Sequence, residues 1–130
     1  MRAAIIANPR AGRGRAVQRA QQARAELSAA GVTCELACTD GAGSATTLAR
    51  EYARAGCELV FAAGGDGTIN EVVEGIVGSG AILGVVPAGL ANVWASEVGI
   101  DCGAGAFGWL IRHGLIFDTD LGLVATRMLA

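Results

Sequence analysis

The sequence predicts a three-layer α/β/α domain built on a mainly parallel sheet. Three observations predict it. Short β-branched apolar runs alternate with helical patterns at lengths that suit strand–helix–strand crossovers, which place helices on both faces of a parallel sheet. Glycine-rich turns close nearly every one of those runs. The 130 residues, 52% apolar and with a net charge of -2, describe one globular domain with enough core to fold without disulfide or metal staples.

Each element follows in order. Ala3 to Ala7 is an apolar run ended by Asn8-Pro9, a buried strand entering a loop. That loop, RAGRGR, is cationic and glycine-rich. Ala16 to Ala30 is a moderately amphipathic, alanine-rich helix with Gly31 just past its end. Val32 to Cys38 alternates as a second strand, Thr39-Asp40-Gly41 turns, and Ser44 to Ala55 forms a helix closed by Gly56. Leu59 to Ala63 is a third strand that runs into Gly64-Gly65-Asp66-Gly67-Thr68. A helix starting near Thr68 then shows Ile69, Val72, Val73, Ile76 and Val77 on one face. Ile82 to Val86 is a fourth strand, stopped by Pro87-Ala88-Gly89. Short helices are expected from Asn92 to Val98 and from Ala104 to His113, and an extended segment from Leu115 to Val124.

Composition excludes several functions. All ten basic residues are arginine, so a P-loop lysine and any catalytic amine are ruled out. No basic block offers a nucleic-acid footprint. Cys34, Cys38, Cys57 and Cys102 lack metal-ligand spacing and read as small buried thiols. The opening MRAAIIANPRAGRGR has too short an apolar run for a secretory signal, so the cytoplasm is the default compartment. The apolar stretch from Gly75 to Ala91 contains five glycines and falls short of the ~20 residues of a membrane span.

Ligands of such sheets bind beyond the carboxyl ends of the strands, where the four loops should converge. In the third loop, Gly64, Gly65 and Gly67 can adopt positive φ and, lacking Cβ, let backbone amides approach an anion closely, with the following helix adding its positive end. This is a phosphate cradle. Asp66 would repel phosphate there by about 1 to 4 kcal/mol at 4 Å. Either a Mg²⁺ ion lies between them, or the carboxylate accepts a proton from an attacking hydroxyl. The alternative is a tight turn in which Asp66 caps the helix.

In the first loop, the Asn8 amide can bond phosphate, Gly12 and Gly14 free the backbone, and Arg10, Arg13 and Arg15 bring charge, with a solvated surface as their alternative. Val17 occupies the third-glycine position of GxGxxG, so the dinucleotide fingerprint fails. Thr39 offers a hydroxyl to nucleotide or to its own turn. Glu71 suits a ribose, a water-mediated metal network or an exposed helix face. In the fourth loop Gly89 permits close approach, and Asn92 reads as a helix cap. Trp94 and Trp109 read as core, and His113 as a helix-end residue.

Asn8-Pro9-Arg-Ala-Gly12-Arg-Gly14, Gly64-Gly65-Asp66-Gly67-Thr68-Ile-Asn70-Glu71-Val72 and Pro87-Ala-Gly89-Leu-Ala-Asn92, in this order and spacing, resemble the nucleotide-binding domain of the diacylglycerol kinase and sphingosine kinase family. The likeness is strongest to its bacterial lipid kinases and covers essentially the whole chain. GGDGT alone is shared with NAD kinases.

The resemblance implies an NAD kinase/diacylglycerol kinase-like fold and transfer of the ATP γ-phosphate to a lipid hydroxyl such as that of diacylglycerol. ATP and Mg²⁺ are the implied cofactors. It places nucleotide contacts at Asn8, Gly12, Thr39, Gly64, Gly65, Asp66, Gly67, Thr68, Asn70, Glu71, Gly89 and Leu90, and assigns catalysis and the metal to Asp66. Leu90 stands where the family has threonine, which removes one hydroxyl contact.

Similar enzymes carry a C-terminal β-rich domain. Residues 1–130 are therefore read as the nucleotide-binding catalytic domain, with that second domain outside this chain. Weak nucleotide binding and little or no turnover are expected of the 130 residues alone. The implied partners are ATP and a lipid, with peripheral membrane contact through the lipid and no nucleic acid; a homodimer stays open. Two rivals remain: an NAD kinase-like phosphotransferase, and a nucleotide-binding domain without turnover.

Overall fold

The computed structural model of the chain describes residues 1–87 and the strand segments 122–124 and 127–129. Four strands, β1 (Arg2–Ala7), β2 (Thr33–Cys38), β3 (Leu59–Gly64) and β4 (Ile82–Pro87), form an all-parallel sheet in the order β2-β1-β3-β4. The connecting helices are α1 (Arg15–Ala29), α2 (Ser44–Arg54) and α3 (Asp66–Ile76). Gly122–Val124 (β5) and Arg127–Leu129 (β6) pair as an antiparallel ribbon. The short helices expected at 92–98 and 104–113, with Trp94, Trp109, His113 and Cys102, lie outside the described residues, as does most of the extended segment at 115–124.

Two-residue periodicity divides the core. Ala3, Ile5 and Ala7 of β1, with Phe61, Ala63 and Val86, pack under Ala20, Ala23 and Leu27 of α1. Ala4 and Ile6, with Val60, Ala62 and Val85, pack on the other face against Ala45 and Ala49 of α2 and Ile69, Val72, Val73 and Ile76 of α3. Successive strand side chains point to opposite faces, so a strand covered on both sides must be apolar throughout. β1 is, from Ala3 to Ala7.

Two expectations are corrected. Helix α3 begins at Asp66, two residues earlier than Thr68. Cys38 is exposed while Cys34 and Cys57 are buried, because the end of the edge strand β2 runs out from under its helix cover. Burial pushes the Cys34 thiol up to about 11, against the opposing pull of Arg24, which leaves it protonated and inert at neutral pH.

Candidate functional site

The loop after β1 is built by its own backbone and by Asn8. The Asn8 N–H donates to Ala63 O at 2.9 Å, tying the loop to the end of β3. Asn8 Oδ1 accepts the Arg10 N–H at 3.0 Å, and Asn8 O accepts the Ala11 N–H at 3.0 Å, an Asx turn of the kind asparagine favours. A single tight turn, Ala11–Gly14, follows. Its residues Gly12 (φ 62, ψ 30) and Arg13 (φ 58, ψ 40) are left-handed, as is Gly14 (φ 85). The Arg15 N–H closes the turn onto Ala11 O and Gly12 O. Glycine takes this conformation without penalty; Arg13 does not.

The turn between β3 and α3 faces that loop. Gly65 occupies the N-cap with φ -88 and ψ -170, and no side chain caps the helix. Asp66 is therefore the first helical residue rather than the cap. None of Gly64, Gly65 and Gly67 has a positive φ, so the conformational freedom expected of them is not used here, while the missing Cβ is. A Cβ on Gly64 would lie 2.5 Å from Thr68 Oγ1 and 2.8 Å from Thr68 Cβ, so Gly64 lets the buried Thr68 fold back over the strand end. A Cβ on Gly67 would meet nothing within 4 Å, since it would project into the cleft.

The two loops enclose a cleft of about 370 Å³, whose described lining is Asn8, Arg10, Ala11, Gly12, Arg13, Gly65, Gly67 and Thr68. Of the expected contacts, Asn8, Gly12, Gly65, Gly67 and Thr68 thus share one surface, and Arg10 and Arg13 join them. Gly64 sits behind it, at the end of β3 opposite Pro87. Asp66 is half-buried at the head of α3, and Asn70 and Glu71 are half-buried one turn on. Thr39 ends β2 beside the loop, its N–H donating to Ala7 O at 2.9 Å. Gly89, Leu90 and Asn92 lie outside the described residues. Ala11, which no chemical signal singles out, lines the cleft through its place in the tight turn.

The first amides of a helix have no intrahelical partner and carry its positive dipole end. Here the N-cap residue is Gly65, which has no side chain to bond those amides, and two arginines face that end across the cleft. On the same helix, Glu71 Oε1 is buried without a hydrogen-bond partner among the described residues. Among the described residues no group of three or more His, Cys, Asp or Glu is placed to hold a metal ion.

An all-parallel sheet with a glycine- and arginine-lined cleft at its strand carboxyl ends, beside a helix N-terminus, defines an α/β domain with its cleft where ligands of such sheets bind. The family model of the diacylglycerol kinase catalytic domain matches residues 2–124, and the chain belongs to that family. It is 42% identical over 108 residues to a diacylglycerol kinase of Bacillus subtilis (strain 168), covering 76% of this chain and 33% of that protein. It is 36% identical over 128 residues to a diacylglycerol kinase of Staphylococcus saprophyticus, covering 97% and 42%. The chain thus spans about a third to two-fifths of these relatives. A crystal structure of a diacylglycerol kinase from Bacillus anthracis (Sterne) superposes with a TM-score of 0.81 at 24% identity, over 98% of this chain and 45% of that one, a likeness of fold.

Proposed function

We propose that this chain is the nucleotide-binding part of a lipid kinase that transfers the γ-phosphate of ATP to a lipid hydroxyl such as that of diacylglycerol. The observation that supports the reading is the shared cleft: the cationic loop after β1 and the head of α3, with its glycine N-cap, line one open surface. Backbone amides of Gly67 and Thr68, with the α3 dipole, would hold phosphate oxygens, and Arg10 and Arg13 would offset their charge. Thr39 would meet the nucleoside from the loop after β2.

In the transfer, the acceptor oxygen bonds the γ-phosphorus while the β,γ-bridging oxygen leaves with ADP. Asp66, between the lining residues Gly65 and Gly67 in sequence, has two roles open to it: it would take the acceptor's proton, or it would serve as the protein ligand of Mg²⁺. Mg²⁺ favours phosphate oxygens, waters and one or two carboxylates, a set that Asp66 completes without a dedicated protein cage. When bound, it neutralises charge on the phosphates. Most of the catalysis is positioning and charge compensation.

No described helix is long and apolar enough to cross a membrane. On the reading as a lipid kinase, the enzyme would be cytoplasmic and meet its lipid at the bilayer surface. The test is the full-length gene product with Mg-ATP, offered diacylglycerol or NAD. Diacylglycerol phosphorylation is expected. In Asp66→Asn, turnover should fall about 10²-fold or more while Mg-ATP binding persists. Phosphorylation of NAD alone, ATP binding without turnover, or an unimpaired Asp66→Asn enzyme would each overturn the reading.

A further inference from the structure

Thr46, the third residue of α2, belongs to no motif, yet it makes a polar contact between α2 and α3. Its hydroxyl donates to Glu71 O at 3.0 Å and lies 3.3 Å from Glu74 Oε2. Its carbonyl occupies the space that a side chain on Gly75 would need: a Cβ there would stand 2.5 Å from Thr46 O, 2.6 Å from Ala49 Cβ and 3.0 Å from Arg50 N. One residue of α2 therefore grips positions 71, 74 and 75, a single face of α3.

Both ends of this grip lie on segments that flank the cleft-lining loops. Toward α2, Ser44 Oγ accepts the Asp40 N–H at 3.2 Å and the Thr39 N–H is bound to Ala7 O, so the loop carrying Thr39 is fastened to the helix start. Toward α3, Glu71 stands one turn beyond Gly67 and Thr68 on their face, and helical Cα–Cβ bonds lean toward the N-terminus, which here is the cleft end. The residue whose carbonyl Thr46 holds is also the one whose buried carboxylate oxygen has no hydrogen-bond partner among the described residues. A buried acceptor left unmatched is costly, so this oxygen is suited to accept from a donor of a bound ligand.

We propose that Thr46 is a positioning residue of the nucleotide site: by clasping α3 at Glu71 and Gly75, it sets that acceptor oxygen and the GGDGT turn at a fixed offset from the Thr39 loop, ready for an O–H donor of the bound nucleotide or its hydrated cation. The proposal rests on the reading of the cleft as a nucleotide site.

The test uses the full-length protein with Mg-ATP. Thr46→Val keeps the shape and removes the donor; it should raise the ATP KM roughly three- to tenfold, the span of one lost hydrogen bond, with a smaller change in kcat. Thr46→Ser should restore the KM. Gly75→Ala, which must push on the Thr46 carbonyl, should raise the KM as well. In a Glu71→Ala background the Thr46→Val effect should largely vanish, because the two act as a unit. Loss of the Thr46–Glu71 coupling with 2′-deoxy- or 3′-deoxy-ATP assigns the donor to the ribose, and its persistence assigns it to the hydrated cation. A Thr46→Val protein with a lower Tm but an unchanged KM, or with effects additive to Glu71→Ala, would show mere packing and overturn the proposal. A wild-type protein that binds no Mg-ATP would overturn the site reading, and the positioning role with it.

Discussion

Arg13 is held at φ 58 between two left-handed glycines, and it is the sole non-glycine residue with positive φ among the described residues. For an L-residue that conformation costs about 1–2 kcal/mol. Strain of this kind persists where the surroundings determine it and the site uses it, and Arg13 lines the cleft. Replacement by glycine relieves the strain but adds chain entropy to the unfolded state, for a net gain of roughly 0.5–1 kcal/mol. Arg13→Gly should therefore raise Tm by a few degrees, whereas Arg13→Ala, which keeps the steric penalty, should not. Both remove a guanidinium from the cleft and should weaken Mg-ATP binding. Calorimetric melting paired with titration separates the two effects. An Arg13→Ala protein as stable as Arg13→Gly would place the strain elsewhere.

At the scale of elements, α1 shows how small residues set spacing. Its buried face is Ala16, Ala20, Ala23 and Leu27, so the helix lies close on the sheet and Leu27 is its largest anchor. Leu27→Ala leaves a cavity that nearby alanines cannot fill and should cost about 2–5 kcal/mol, measured by urea unfolding. A loss below 1 kcal/mol would mean that α1 is held by something other than this face. The order and type of β1 through β4 and of the three helices were legible in the sequence, because apolar periodicity and helix-ending glycines such as Gly31 and Gly56 carry that information directly. The start of α3 was not. Helices α1, α2 and α3 all begin on a glycine N-cap with no side-chain cap bond, so capping rules mark none of their starts, and the glycine-rich run Gly64-Gly65-Asp66-Gly67 hid this one. Two loops rich in glycine and arginine made the cleft foreseeable. The Thr46 grip on Glu71 was not, since a threonine in the first turn of an amphipathic helix carries no pattern that names its partner 25 residues away.

Charge is distributed over the whole molecule in a way that the net value conceals. The first 25 residues hold six arginines and no carboxylate, while all twelve acidic residues follow. Topology then folds the basic part against the acidic helix: Arg10 and Arg13 of the loop after β1 share a cleft with the turn that begins α3, which carries Asp66, Glu71 and Glu74. A polyanion entering this cleft meets guanidinium groups and helix amides first, with Asp66 at the head of the same helix. Attraction by exposed arginines is screened by salt, the Debye length falling from about 10 Å at 0.1 M to about 3 Å at 1 M. Attraction by backbone amides at short range is screened much less. Mg-ATP affinity should therefore fall several-fold as salt rises from roughly 0.05 to 0.5 M, and Arg10→Gln with Arg13→Gln should flatten that dependence without abolishing binding. Calorimetric titration over the salt series decides it. A salt-independent affinity in the native protein would assign the binding to the amides and the α3 dipole alone. A double variant with no binding would make the arginines indispensable ligands rather than a screenable field.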